Sequence, residues 1–242
     1  MKLEFLGRGS AFNVREGNTS AYFIENHNLF LIDCGETVFE RLSKKGLLKD
    51  IKEIYVLVSH MHSDHCGSLG SVGLYCQFVL NNKLKIVVPH HDIYIEQLRT
   101  LMTLFGNTDK AYEFIYDDEL DNKFKAFSTV RYELTLHDYQ LICYSFTFET
   151  ENGGIFFSSD TRVLDNILHF IDTHEVIDKM YMEVTDLDVP KDIHLYVNKL
   201  IEGLDEKYFS KIWIMHMRND ECKRRVLEAG FNVVNGYNWN EL

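Results

Sequence analysis

The sequence predicts an α/β fold of two mixed β-sheets packed face to face and covered by helices. Short β-branched and aromatic runs alternate with segments of helical period in both halves of the chain, and turn-joined strand pairs recur inside each half. The 242 residues carry 45% hydrophobic and 13% aromatic side chains, ample for a sizeable core, and no Pro-, Gly- or Ser-rich stretch divides them. One domain spanning residues 1–242 is expected.

The first strands are read in "KLEFLG", "TSAYFIEN", "NLFLIDCG" and "EIYVLVSH", each bounded by Gly, Asn or Asp. Between the third and fourth, "ETVFERLSKKGLL" sets Val38, Phe39, Leu42 and Leu47 near the helical period, so it should cover one sheet face. Residues 65–82, "HCGSLGSVGLYCQFVLNN", predict a second helix weakened by three glycines, and "KLKIVVPHHD" returns to strand. Residues 92–119 predict helix with a break at Gly106-Asn107. Strands "FSTVRYELTLHD" and "QLICYSFTFET" follow, then the turn "ENGG" and strand "GIFFSSDT". Two strand-helix repeats close the chain, with strands "KMYMEV" and "KIWIMH" and helices "HLYVNKLIEGL" and "ECKRRVLEAG".

Composition narrows the function. The net charge is -12 and the densest basic run is "KRR" at 223–225, which disfavours a large nucleic-acid partner. No apolar run approaches the ~20 residues of a membrane span, and "MKLEFLGRGS" lacks a signal-peptide apolar region, so the expectation is a cytoplasmic protein without a membrane partner. Cys34, Cys66, Cys76, Cys143 and Cys222 are odd in number and read as reduced thiols. No internal repeat is visible, and only Pro89 and Pro190 interrupt the chain.

The chemistry concentrates in "VLVSHMHSDHCGSLG", residues 56–70, where His60, His62, Asp64 and His65 fall within six positions at a strand end. Imidazoles and carboxylates are the donors that bind zinc or manganese. His60 and His62, alternate residues leaving the strand, can share one metal, and Asp64-His65 in the next turn can serve a second. A surface or accidental histidine cluster is the bland alternative, and structural metal sites and core histidines do not take this form. Further ligands should come from the ends of later strands. His137 follows "YELTL", Asp160 follows "GIFFSS" and His216 follows "KIWIM". Each alone reads as a surface or capping residue, and their joint occurrence reverses that.

His60-Met61-His62-Ser63-Asp64-His65 resembles the H-x-H-x-D-H signature of the metallo-β-lactamase superfamily, and the resemblance runs from "FLGRGSAFN" through "LIDCGE" to "IMH". It implies a four-layer αββα sandwich with the site on one sheet edge. It further implies that His60, His62 and His137 hold one divalent ion, that Asp64, His65 and His216 hold the other, and that Asp160 bridges them. Zn2+ is the expected ion, with Mn2+ accepted by the same donors. Asp33 matches an acidic position that orients ligands, the plain alternative being a turn-forming Asp before Cys34-Gly35. "IDCGE", "SSDT" and "MEVTD" are similar to motifs of the ribonuclease Z branch, and His194, eleven residues after Glu183, takes the position of that branch's catalytic histidine. By that resemblance Glu183 pairs with His194, His194 donates a proton to the departing ribose oxygen, and Asp64 both ligates and accepts a proton from the attacking water. A cap or surface role is the bland reading of His194 alone. Two cations ~3.5 to 4 Å apart can hold a hydroxide between them for in-line attack on a phosphodiester.

The chain departs from ribonuclease Z where that enzyme grips tRNA. In place of a basic Gly/Pro-rich arm, residues 92–125 are acidic, with "DDELD" at 117–121, and His137 is followed by Asp138-Tyr139-Gln140. A compact chain of this kind is similar to the small phage and bacterial phosphodiesterases that open cyclic mononucleotides, the anti-Pycsar proteins among them. "LGRGSAFN" and "GNTSAYF" add to that likeness. It implies hydrolysis of 3',5'-cyclic nucleotides to nucleoside monophosphates, which counteracts host cyclic-nucleotide antiviral signalling. It also implies a small-molecule partner, a homodimer and, for a phage-encoded chain, the host cytoplasm. A tRNA 3'-processing endonuclease is the alternative. Thioester or lactone hydrolysis is permitted by the metal ligands alone, and a non-enzymatic nucleotide-binding protein would lack some of them. His27, His90, His91, His169 and His174 read as surface or solvated residues, and Cys66 as small apolar packing.

Overall fold

Residues 1–189 and 192–236 are described by a computed structural model, so that Pro190 lies outside the described residues. The first sheet has the spatial order β1 (Glu4–Gly7), β2 (Ser20–Glu25), β3 (Asn28–Ile32), β4 (Glu53–Leu57), β5 (Leu84–Val88), β6 (Tyr112–Tyr116). The second runs β7 (Thr129–Thr135), β8 (Cys143–Thr150), β9 (Gly153–Phe157), β10 (Ile177–Glu183), β11 (Ile212–Met215), β12 (Asn232–Val233). Both sheets are wired alike. Their first two pairings are antiparallel and the remaining three parallel. This common wiring brings the C-terminal ends of the parallel strands to one edge of each sheet.

Seven α-helices are described: α1 (Val38–Lys44), α2 (Ser63–Cys66), α3 (Leu69–Tyr75), α4 (Asp92–Leu104), α5 (Asp165–Thr173), α6 (Val197–Gly203) and α7 (Asp220–Glu228). Alternation along the second sheet sorts its side chains to two sides, as a period of two requires. Phe157, Tyr181 and Met215 face the core shared with the first sheet. Phe156, Met180, Met182, Ile212 and Ile214 pack instead with Ile167 and Phe170 of α5, Leu200 of α6 and Val226 of α7. Rings join the sheets: Phe5 and Tyr181 meet directly at 5.5 Å, and Phe127, in the connection before β7, lies 5.5 Å from both Phe30 of β3 and Phe148 of β8. Val38 and Leu42 of α1, Leu69 and Val72 of α3 and Leu98 and Met102 of α4 are buried over the first sheet. The result is the expected four-layer αββα sandwich. Burying each core Phe or Leu contributes about 1.5–3 kcal/mol.

Three local expectations are corrected. The helix proposed over residues 92–119 ends at Leu104, and residues 112–116 are β6, an edge strand paired in parallel with β5. "YEFIY" is aromatic and β-branched, and once Gly106 turns the chain with φ 80° such a run is better used extending the sheet. The second correction is the segment 65–82, which is divided into α2, α3 and a π-helical stretch (Cys76–Leu80) closed by Asn81 at φ 50°. A Cβ on Gly70 would lie 2.5 Å from Phe105 Cβ, so that glycine buys the close packing of α3 on the end of α4. Third, His174 is no solvated residue: its Nε2 donates to Glu149 Oε1 at 2.7 Å and its ring stacks on Phe170 at 4.1 Å. Its helix α5 has Ile167 and Phe170 buried three residues apart. All five cysteines are buried free thiols, and among the described residues no helix is long and apolar enough to cross a membrane.

Candidate metal centre

The side chains singled out in the sequence meet at the sheet edge formed by strand C-termini. Asp33 follows β3, His60 and His62 follow β4, His137 follows β7, Asp160 follows β9, Glu183 ends β10 and His216 follows β11. At three of these ends the chain turns through the left-handed region, at Asp33 (φ 63°), Ser159 (φ 51°) and His216 (φ 55°). Non-glycine residues seldom adopt it, and here it bends the backbone sharply enough to aim side chains at one point.

His60, His62 and His137 form one donor group, with His62 Nδ1 3.0 Å from His60 Nε2 and 3.3 Å from His137 Nε2. Their outward nitrogens are already committed. His137 Nδ1 donates to the Ile193 carbonyl at 2.7 Å. Ser59 Oγ donates to Asp33 Oδ2 at 2.9 Å, which leaves it to accept from His60 Nδ1 at 3.0 Å. The network therefore assigns lone pairs to His60 Nε2 and His137 Nε2, which converge on His62 Nδ1, where either a proton or a cation answers them.

Asp64, His65, Asp160 and His216 form the second group. His65 Nδ1 donates to Asp33 Oδ2 at 2.8 Å, turning Nε2 inward. There it lies 3.4 Å from Asp64 Oδ2 and 3.3 Å from Asp160 Oδ2, yet is aligned for a hydrogen bond with neither. Asp160 Oδ1 is likewise buried without a hydrogen-bond partner. Asp160 Oδ2 also stands 3.6 Å from His137 Nε2 and 4.0 Å from His60 Nε2, between the two groups. Buried polar atoms are seldom orphaned, and a divalent cation in each group would satisfy those of His65 and Asp160. The donors are nitrogens and carboxylate oxygens suited to zinc or manganese, so the residues fit two such ions.

The loop carrying the ligands is braced from behind. Cys34 N donates to the His65 carbonyl at 2.7 Å and Ser68 N to the Cys34 carbonyl at 2.9 Å. Gly35 permits this approach, since a Cβ there would sit 1.9 Å from the Asp64 carbonyl oxygen. Asp33 thus both turns the chain and orients the His65 ring.

Beside the second group lies His194, in the loop before α6 rather than at the start of a helix. Its Nδ1 is 3.1 and 3.2 Å from the two Glu183 oxygens. Glu183 is fully buried, accepts the Thr161 N–H at 2.9 Å, and approaches His216 Nδ1 at 3.8 Å.

Charge in the metal-free cluster is divided by group. Burial pushes the His60 ring well below its usual pKa, and His62 is lowered for the same reason. Burial opposes charge on His216 too, but Asp160, Asp64 and Glu183 raise it to about 10. His65 is raised well above its ordinary value against burial by Asp160, Asp33 and Asp64. Burial likewise disfavours the Asp64 and Asp160 carboxylates, yet His65 and His216 hold both well below the usual range. His194 is pushed down by burial and up, to about 9, by Glu183. Without ions, protons on His65 and His216 supply the positive charge the carboxylates require.

A cavity of about 460 Å³ opens over the centre, lined by His62, Asp64, Asp160, Glu183, His194 and His216. Phe12 and Arg218 also line it, and neither stands out in the sequence. Arg218 directly follows Met217 after the ligand His216, but a single surface-type Arg has no local signature; its Nε and Nη2 donate to Asp186 at 3.0 and 2.8 Å. His90 and His91 do not join the centre. His90 stacks on Tyr116 at 4.1 Å, and His91 Nδ1 contacts Tyr144 Oη at 2.5 Å.

The sequence profile of the family described as anti-Pycsar protein Apyc1 matches residues 1–235. Among curated proteins, an anti-Pycsar protein Apyc1 of Paenibacillus harenae is 29% identical over 225 residues, covering 89% of each chain. A ribonuclease Z of Bacteroides fragilis is 34% identical over 118 residues, 48% of this chain and 38% of that protein. Among solved structures, the metallo-β-lactamase fold protein YhfI of Bacillus subtilis superposes with a TM-score of 0.72 at 18% identity, covering 97% of both chains. That superposition carries the fold, and the match over almost the whole sequence carries the family: the chain belongs to the anti-Pycsar protein Apyc1 family.

Proposed function

We propose that the protein is a dinuclear metal-dependent phosphodiesterase that hydrolyses 3',5'-cyclic nucleotides to nucleoside monophosphates. The observation that carries this reading is the Glu183–His194 pair, 3.1 Å apart, on the wall of the cavity that reaches the first donor group at His62 and the second at Asp64, Asp160 and His216. Metal donors alone serve any hydrolysis; a histidine held by a buried carboxylate beside them suits a reaction whose leaving group is an alkoxide needing a proton. Membership of the anti-Pycsar family supports a cyclic nucleotide as the source of that leaving group.

His60, His62 and His137 would hold one ion, Asp64, His65 and His216 the other, with Asp160 shared. Two bound divalent cations supply Lewis acidity toward the phosphoryl oxygens and acidify a water. The chain's own groups then do the rest. Glu183 fixes the His194 ring through Nδ1, so that Nε2 can pass a proton to the ribose oxygen as the P–O bond breaks. Asp64, held ionised, accepts the proton of the attacking water. Asp33 and the Ile193 carbonyl keep His65 and His137 turned inward. The turn after β6 exposes Asp118 and Glu119, with Asp121 beside them paired to Arg131, and offers no basic track for a tRNA substrate. Action in the cytoplasm of a host cell accompanies this reading, supported by a relative from a Bacillus phage, and a homodimer is proposed with it from the family resemblance alone.

The test is a panel of the four common 3',5'-cyclic nucleotides and a precursor tRNA, run with Zn2+ and with Mn2+. Conversion of cyclic nucleotide to monophosphate, lost in His62→Ala and Asp64→Ala, is expected. Two stoichiometric ions without turnover of any cyclic nucleotide would sink the proposal, and tRNA cleavage would replace it.

A further inference from the structure

Phe12 combines two properties that rarely go together: its side chain is 96% exposed, and its backbone is rigidly mounted. It occupies the turn over residues 10–13, where Asn13 N donates to the Ser10 carbonyl at 3.0 Å, and the Asn13 carbonyl accepts from Glu16 N at 3.1 Å and Gly17 N at 3.0 Å. The turn is tied to the residue after ligand His216. Ser10 N and Asn13 Nδ2 both donate to the Met217 carbonyl, at 3.2 and 2.9 Å, and Met217 N donates to the Arg8 carbonyl at 2.9 Å. Ser10, Ala11 and Phe12 thereby line the same cavity as the metal donors and His194.

An isolated exposed aromatic is ordinary on a protein surface. One held at the mouth of a catalytic cavity, on a strap anchored beside a ligand, has a π-face with nothing on it. We propose that Phe12 is the stacking platform for the nucleobase of the substrate. The proposal rests on the phosphodiesterase reading and deepens it, because it states how a base is held while the phosphate lies over the metal donors. Every base has a π-face, so recognition by stacking is tolerant of sequence. Stacking on Phe12 should rank one base against another by ring area rather than by hydrogen-bonding edge. Leu187 and Ile193 add apolar lining to the same cavity.

Phe12→Ala and Phe12→Trp in the full chain test this. Phe12→Ala should raise KM for cyclic nucleotides about 5- to 150-fold, the loss expected from removing one stacked ring, and more for purines than for pyrimidines. The kcat should change far less, and the 3',5'-cyclic phosphate of a ribose lacking its base should show no KM change. Phe12→Trp should restore KM, and cyclic nucleotide should quench its added fluorescence relative to the wild-type chain. An unchanged KM in Phe12→Ala, an equal rise for the base-free sugar, or a change of oligomeric state in place of a KM effect would overturn the proposal. Quenching is read whether or not turnover occurs: quenching without turnover keeps the stacking and removes the phosphodiesterase reading, and turnover without quenching does the reverse.

Discussion

Asp33 Oδ2 accepts a hydrogen bond from His65 Nδ1 at 2.8 Å while its Oδ1 accepts the backbone N–H of Ser59 at 2.7 Å, so one buried carboxylate fixes both a ligand ring and the start of the ligand loop. Such partners of ligating histidines are worth about 10–100-fold in metal affinity. Asp33→Ala is expected to weaken, by that factor, the ion proposed to sit with Asp64, His65 and His216, in competition with a chelator, while saturating metal recovers much of the turnover. Undiminished affinity would reduce Asp33 to a turn residue.

Gly35→Ala probes the contact behind the loop. The new methyl would meet the Asp64 carbonyl oxygen at 1.9 Å, a backbone atom that moves only by carrying Asp64 and His65 with it. Overpacking of this kind costs about 1–3 kcal/mol, or roughly 2–12 °C in Tm for a chain of this size. Thermal unfolding and metal analysis should register both the drop and a lost ion; a variant with native metal content would contradict the close approach.

Glu183→Gln and His194→Gln separate proton delivery from metal binding. Each should retain metal, because neither residue is assigned as a ligand, and His194→Gln should lower kcat about 10²–10⁴-fold. Glu183 raises the pKa of His194, to about 9 in the metal-free chain, so a neutral glutamine lets it fall. The alkaline limb of the kcat profile should therefore move to lower pH in Glu183→Gln. A limb that stays fixed would assign the proton donor elsewhere.

Metal loading should expel protons. In the metal-free chain His216 is raised to about 10 and His65 well above its ordinary value, so at pH 7.5 both rings carry protons where ions would bind. Binding must displace them, about two per chain, and apparent affinity must rise with pH until the rings titrate. Calorimetry in buffers of different ionisation enthalpy counts these protons. None released at pH 7.5 would contradict the charge distribution.

The clustering of the candidate donors was legible because its signal is local. His60, His62, Asp64 and His65 lie within six residues, and His137, Asp160 and His216 each stand just beyond a strand whose β-branched or aromatic run is unmistakable. Pairing between distant segments was not. Tyr112–Tyr116 forms a strand because the β5 edge is there to receive it, and that edge is built by residues 84–88. Phe12 was hidden for a different reason. Its role depends on where residues 10–13 are tied to Met217, across more than two hundred residues, and an aromatic in a turn has no pattern of its own. The α5 helix was missed since nine residues with two buried positions give too short a periodic signal.

Asp33, Ser159 and His216, three of the eight non-glycine residues with positive φ among the described residues, place backbone strain at the edge that carries the donors, at about 1–3 kcal/mol for each residue. Bound ions stabilise only the folded chain and so offset that strain by mass action. Chelation would then do more than stop turnover: in a cell, the supply of divalent ions would set how long each copy escapes proteolysis.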